Sequence, residues 1–231
     1  MKPLPTEPGT GSNAGPIGLL GGTFDPIHFG HLRLAVEARE ALGLVNVCLI
    51  PAGNPPHRDT PMSGADHRLA MVELAIAGNP DLQVDDGEVR ATQKSYSVLT
   101  LERLRAKFGP ARPLVLIVGA DAFNGLPTWH RWESLFELAH VAVANRPGFA
   151  PHERCWPGEL APALADACRR RLTREASDLA SAPAGRIMPF DMTPLAISAS
   201  LVRDLIRAGH SPRYLVPDTV LDYIDLHQLY K

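Results

Sequence analysis

The feature that most narrows the fold of this chain is an alternation. Short apolar runs at residues 17–20, 45–50, 114–118, 141–144 and 187–188 are set among glycines and prolines. Longer segments with helical spacing stand between them, at 31–42, 67–77 and 132–138. In the first, Leu32, Ala35 and Val36 share a face; in the second, Leu69, Val72, Leu74 and Ile76 do. Apolar runs this short read as strands buried on both sides. Strands that alternate with helices predict a parallel sheet covered on both faces, a doubly wound, Rossmann-like α/β fold. Such a sheet binds its ligands beyond the carboxyl ends of the strands, near the reversal of strand order.

Composition removes several other classes. At 231 residues the chain is long enough for one α/β domain with a sizeable core. Hydrophobic residues make up 45% and charged ones 21%, as in an ordinary globular protein. The formal net charge is −2 and there is no basic stripe, which argues against nucleic acid as a partner. The cluster Arg169-Arg170-Arg171 reads as a solvated helix face. No apolar run is long enough to span a bilayer, so no membrane is expected. Cys48, Cys155 and Cys168 are odd in number and widely spaced, which fits a reducing, cytoplasmic setting better than a disulfide framework. Residues 1–15 are rich in Pro, Gly and polar side chains and read as a disordered tail before a single domain at 16–231. The Ala-, Arg- and Glu-rich stretch 151–183 reads as a helical insertion within it.

Directly after the first strand comes Gly-Gly-Thr-Phe-Asp-Pro-Ile-His-Phe-Gly-His, Gly21 to His31. The two glycines allow a sharp turn and close backbone approach to a ligand. The spacing is not GxGxxG, so a dinucleotide-binding dehydrogenase is unsupported. His28 and His31 stand at the start of the next helix, where unpaired N–H groups and a positive partial charge attract phosphate. A zinc site would need further ligands that no spacing marks. One of the two histidines could instead be satisfied by backbone inside the turn. A phosphate cradle accounts for the glycines, both histidines and the position together.

The same stretch resembles the T/HxGH signature of the nucleotidyltransferase superfamily. A second signature of that superfamily is similar to Ile197-Ser198-Ala199-Ser200-Leu201-Val202-Arg203, late in the chain. The double-glycine form resembles the bacterial nicotinate mononucleotide adenylyltransferases in particular. Further similar stretches are PAGNPPHR from Pro51, SYS from Ser95, GAD from Gly119, PTW from Pro127 and NRPG from Asn145. The likeness runs from about Gly18 to the last residue.

That resemblance implies adenylyl transfer from ATP to nicotinate mononucleotide, giving nicotinic acid adenine dinucleotide and pyrophosphate in NAD biosynthesis. The attacking phosphate is already an anion, so a general base is not required. The work left to the protein is positioning and charge neutralisation. The resemblance implies that His28, His31 and Arg203 act on the ATP phosphates. Gly22, Thr23, Phe24, Asp121, Ile197 and Ser198 would complete the ATP site. Asn54, Arg58, Ser97, Trp129 and Arg146 would serve nicotinate mononucleotide, with Trp129 stacked on the pyridine ring. Ser97 and Ser200 stand where relatives commonly have Thr, which keeps the hydroxyl and loses a methyl. Mg²⁺ would arrive with ATP, without an assigned protein ligand. Competing readings are an adenylyltransferase for pantetheine phosphate or for nicotinamide mononucleotide, and a non-catalytic nucleotide sensor; the last would be expected to lose His31 or Arg203.

Overall fold

The computed structural model describes residues 15–55, 60–145 and 160–231. The expectations for Arg58, Arg146, the tail at 1–14 and residues 151–159 therefore lie outside the described residues. The elements run β1 (Ile17–Gly22), α1 (Phe29–Leu42), β2 (Asn46–Pro51), α2 (Ala65–Ile76), β3 (Leu82–Val84), α3 (Gly87–Arg90), α4 (Ser97–Phe108), β4 (Leu114–Gly119) and α5 (Ala120–Asn124). They continue through α6 (Leu135–Leu138), β5 (His140–Asn145), α7 (Pro162–Arg171), α8 (Ser177–Ser181), β6 (Ile187–Asp191), α9 (Ala199–Arg207) and α10 (Asp218–Leu226). The strands form one six-stranded sheet in the order β3-β2-β1-β4-β5-β6, and every pairing is parallel. The doubly wound sheet expected from the alternation is present. Its order reverses between β1 and β4, so their carboxyl ends flank the crevice where this fold binds ligands.

The two-residue period of a strand sorts the core into two layers. Ile17 and Leu19 of β1, with Leu114, Leu116 and Val118 of β4, pack on one face against Leu101 and Leu104 of α4 and Leu164 of α7. Leu20, Val115 and Ile117 pack on the other, against Ala35 and Ala38 of α1, Met71 and Val72 of α2, and Val220 and Ile224 of α10. Cys48 of β2 lies in the first layer, and burial pushes its thiol up to about 12.

Four elements differ from the sequence reading. β3 was not expected; it is three residues long, with an exposed Gln83 at its centre. α4 was not expected either, although Val98, Leu101 and Leu104 are buried at helical spacing. The segment 132–138 is a 3₁₀ turn at Trp132–Ser134 followed by the single turn of α6. β6 runs past the expected 187–188 and carries Pro189 through to Asp191. The ladder explains why a proline fits there. Val141 N–H donates to the Arg186 carbonyl and Met192 N–H to that of Asn145, so residues 186 and 192 face β5. By alternation 187, 189 and 191 face outward, and Pro189 breaks no bond to β5.

Candidate functional site

Two adjoining cavities open at the carboxyl ends of β1 and β4. The first, about 900 Å³, is lined by Gly21 to Asp25, His28, His31, Thr60 to Met62, Ile197 to Ser200 and Arg203. The second, about 360 Å³, is lined among others by Ser97, Asp121, Trp129, Glu88, Tyr96 and His130. Gly21, Gly22 and Thr23 line both. The chain can approach so closely here because Gly22 has no side chain: a Cβ on it would lie 2.8 Å from the Phe24 ring. Phe24 itself is buried with a left-handed φ of 52°, its ring edge-on to His31 at 5.0 Å.

The structure brings most of the expected phosphate groups together in the first cavity. His28 is the residue that precedes α1, and His31 is in the helix's first turn. Their rings stack at 3.7 Å. His28 is 5% exposed, and burial pushes its pKa down to about 4, so at neutral pH it is an uncharged imidazole. Its Nδ1 is buried and has no hydrogen-bond partner among the described residues. Such a group is costly to bury unless something meets it.

Across the cavity, α9 begins after Ser198, whose Oγ accepts from Leu201 N–H at 3.1 Å. That bond uses a lone pair and leaves the hydroxyl proton to donate elsewhere. Arg203 makes no ion pair with its neighbour Asp204, which pairs with Arg207. Instead Arg203 Nη1 donates to the Asp25 carbonyl at 2.7 Å and Nη2 to Ser200 Oγ at 3.1 Å. Its guanidinium is thus oriented before any ligand arrives, and it supplies the cavity's permanent positive charge.

The second cavity is built differently. Ser97 is the first residue of α4, so unpaired backbone N–H groups of a helix start stand at its wall. Trp129 lines this cavity and also packs on the core layer beneath it. Trp132, by contrast, sets its ring edge-on to Phe136 with centroids 6.1 Å apart. Asp121, expected among the ATP groups, is in the first turn of α5 and lines the second cavity. Asn54 lines neither; its N–H donates to Ser95 Oγ and its carbonyl accepts from Ser95 N–H.

Several residues at these walls escape a reading of motifs. Asp25, which the sequence presents only as part of a turn, is a carboxylate 5% exposed. It accepts from Met62 N–H at 2.7 Å, from the N–H and hydroxyl of Ser63, and from the Tyr230 hydroxyl at 2.7 Å. Tyr230 is 205 residues away in sequence. Burial and the neighbouring carboxylate push its phenol pKa up, which keeps it a donor. Arg68, in the first turn of α2, is 1% exposed, and among the described residues its guanidinium donates to backbone carbonyls in the loops around the cavities. Among the described residues, no three His, Cys, Asp or Glu side chains gather into a metal site. No helix there is long and apolar enough to cross a membrane.

Comparison with known proteins identifies the family. A model of the cytidylyltransferase-like family matches residues 19–205. A protein of Dechloromonas aromatica named “Probable nicotinate-nucleotide adenylyltransferase” is 55% identical, over 94% of this chain and 98% of its own length. One of the same name from Hahella chejuensis is 48% identical, over 93% and 95%. The fold is similar to that of the nicotinic acid mononucleotide adenylyltransferase of Plasmodium falciparum, solved in complex with NaAD. That likeness has a TM-score of 0.67 at 14% identity and covers 94% of this chain and 97% of the other. With both of its signatures lining one cavity, the chain belongs to the nicotinate-nucleotide adenylyltransferases of the cytidylyltransferase-like family.

Proposed function

We propose that the protein transfers the adenylyl group of ATP to the 5′-phosphate of nicotinate mononucleotide. The products are nicotinic acid adenine dinucleotide and pyrophosphate, a step of NAD biosynthesis. One observation carries the assignment of substrates to places: two cavities meet at a shared rim, Gly21 to Thr23. ATP occupies the larger, between the starts of α1 and α9, and the mononucleotide the smaller. The α-phosphorus then lies at the rim, where the attacking phosphate reaches it in line.

The attacking oxygen is already anionic, so the residues need only hold the reactants and meet developing charge. Arg203 faces the leaving pyrophosphate with a fixed charge, and the first N–H groups of α9 and the Ser198 hydroxyl add donors. His28 and His31 donate to phosphate oxygens, with His31 nearest the bridging oxygen as the bond breaks. Mg²⁺ delivered with ATP would neutralise phosphate charge, held by phosphate oxygens and water. In the smaller cavity Trp129 offers a flat face to the pyridine ring, and the start of α4 at Ser97 meets the nicotinate carboxylate. Asp121, at the start of α5, serves a ribose hydroxyl from this side. Arg58, Arg146 and Asn54 are further groups assigned to the mononucleotide by the resemblance. The buried, reduced thiol of Cys48 supports a cytoplasmic setting.

The test compares nicotinate mononucleotide with its amide analogue, with ATP and Mg²⁺. A carboxylate aimed at preorganised N–H donors makes charge-assisted bonds that an amide cannot. kcat/KM is expected to favour the acid by about a hundredfold or more, some 2.7 kcal/mol; equal values would overturn the assignment of the smaller cavity.

A further inference from the structure

We propose that Arg68 is the positioning residue that sets the two cavities in register. Its guanidinium is 1% exposed and donates to backbone carbonyls in separate loops. Nη1 meets the Thr23 carbonyl at 2.8 Å, on the rim that both cavities share. Nη2 meets the Gly53 carbonyl at 3.1 Å. Gly53 stands behind the wall of the smaller cavity: Ala52 before it lines that cavity, and so do Ser95, whose Oγ accepts from Gly53 N–H, and Glu88, against which its backbone lies. A Cβ on Gly53 would come within 2.0 Å of the Glu88 carbonyl oxygen, so the loop has no slack there. Nε meets the Ser63 carbonyl at 3.3 Å. Ser63 follows Thr60 to Met62, which line the larger cavity, and Asp25 grips it from the other side through its N–H and hydroxyl.

One planar, rigid fork therefore fixes the rim, a wall of the mononucleotide cavity and a wall of the ATP cavity relative to one another. Arg68 lines neither cavity, so its effect on the reaction is indirect. Transfer needs attacking oxygen, phosphorus and leaving oxygen in line, and a misplacement of about 1 Å costs about a hundredfold in rate. A lysine keeps the charge of Arg68 but cannot span the carbonyls of Thr23, Gly53 and Ser63.

The proposal rests on the adenylyl-transfer reading, and the dinucleotide product separates the two. That molecule spans both cavities as one piece, whereas each substrate occupies one. In Arg68→Lys, with Arg68→Gln as the second variant, ATP and nicotinate mononucleotide are each expected to bind alone within about threefold of the unsubstituted protein. Nicotinic acid adenine dinucleotide is expected to bind at least 30-fold more weakly, and kcat to fall about a hundredfold. Calorimetric titration of the three nucleotides, separately, reads this out. Equal weakening of all three, or weakening of none, would show that Arg68 supports the fold without setting the register. Failure of both variants to fold would overturn the proposal in the same way. An unsubstituted protein that forms no dinucleotide overturns the functional reading itself.

Discussion

His28 and His140 are both buried, and burial lowers the pKa of both. Their surroundings are opposite. His140 starts β5 with each nitrogen engaged: Nε2 meets the Ala182 carbonyl at 2.8 Å, and Nδ1 accepts from Arg186 N–H at 3.0 Å. Those partners fix its tautomer and join β5 to the chain entering β6. His28 stands at the mouth of α1 with a buried Nδ1 that no described protein group meets. The same side chain is in one place a completed joint and in the other a polar atom left for something else to meet, and satisfaction distinguishes them where burial does not.

The sharpest way to break the comparison is to remove the imidazoles. His28→Ala and His31→Ala are each expected to lower kcat by about 10²–10³, as when one preorganised transition-state donor is lost. KM for nicotinate mononucleotide should change far less. Steady-state kinetics on both substrates checks this; an intact kcat in His31→Ala would remove it from the transition state.

Stability against pH separates the two histidines next. An ordinary histidine titrates near 6.5, and His28 in the fold only near about 4. Between those values the unfolded chain binds the extra proton, so stability is full above pH 6.5, falls as pH drops toward 4, and is flat below. The span corresponds to about 3 kcal/mol at most. Urea midpoints at pH 7 and pH 4.5 should differ less in His28→Asn than in the unsubstituted protein. The part of the slope that His140 contributes should persist in that variant.

His140→Ala is expected to cost about 2–3 kcal/mol of stability, because it strands the Ala182 carbonyl and the Arg186 N–H. kcat per folded molecule should stay within twofold, as thermal melts and active-site titration together would show. The smallest effect extends the comparison to the tryptophans. Trp129→Ala should raise KM for nicotinate mononucleotide about tenfold, near 1.4 kcal/mol, with little change in kcat. Trp132→Ala, which loses the edge contact with Phe136, should alter melting and leave that KM alone.

What the sequence discloses follows the same division. β1, β2, β4 and β5 are legible because both faces of each are buried, which leaves a continuous apolar run. β3 is not, since three residues around an exposed Gln83 carry no pattern. α4 carries its signal in Val98, Leu101 and Leu104, apolar at helical spacing after Ser97, in a segment whose other residues are mostly polar. The phosphate groups are legible because their spacing is local: His28 and His31 lie three apart, and Ser198 and Arg203 five. Arg68 is silent because its partners are main-chain carbonyls, which every residue possesses. Asp25 is half legible, since the turn shows but Tyr230, which caps its carboxylate, lies at the far end of the chain.

The outward-facing Pro189 of β6 has a consequence for how copies of this protein meet. A parallel sheet ends in two rows of unused amide groups, each a template for another strand. On the β6 side Pro189 has no amide hydrogen to give, and Leu172 already bridges Ile187. On the β3 side the row is three residues long. Among the described residues neither border offers a long row of free amide groups, which disfavours edge-to-edge pairing of folded copies through this sheet.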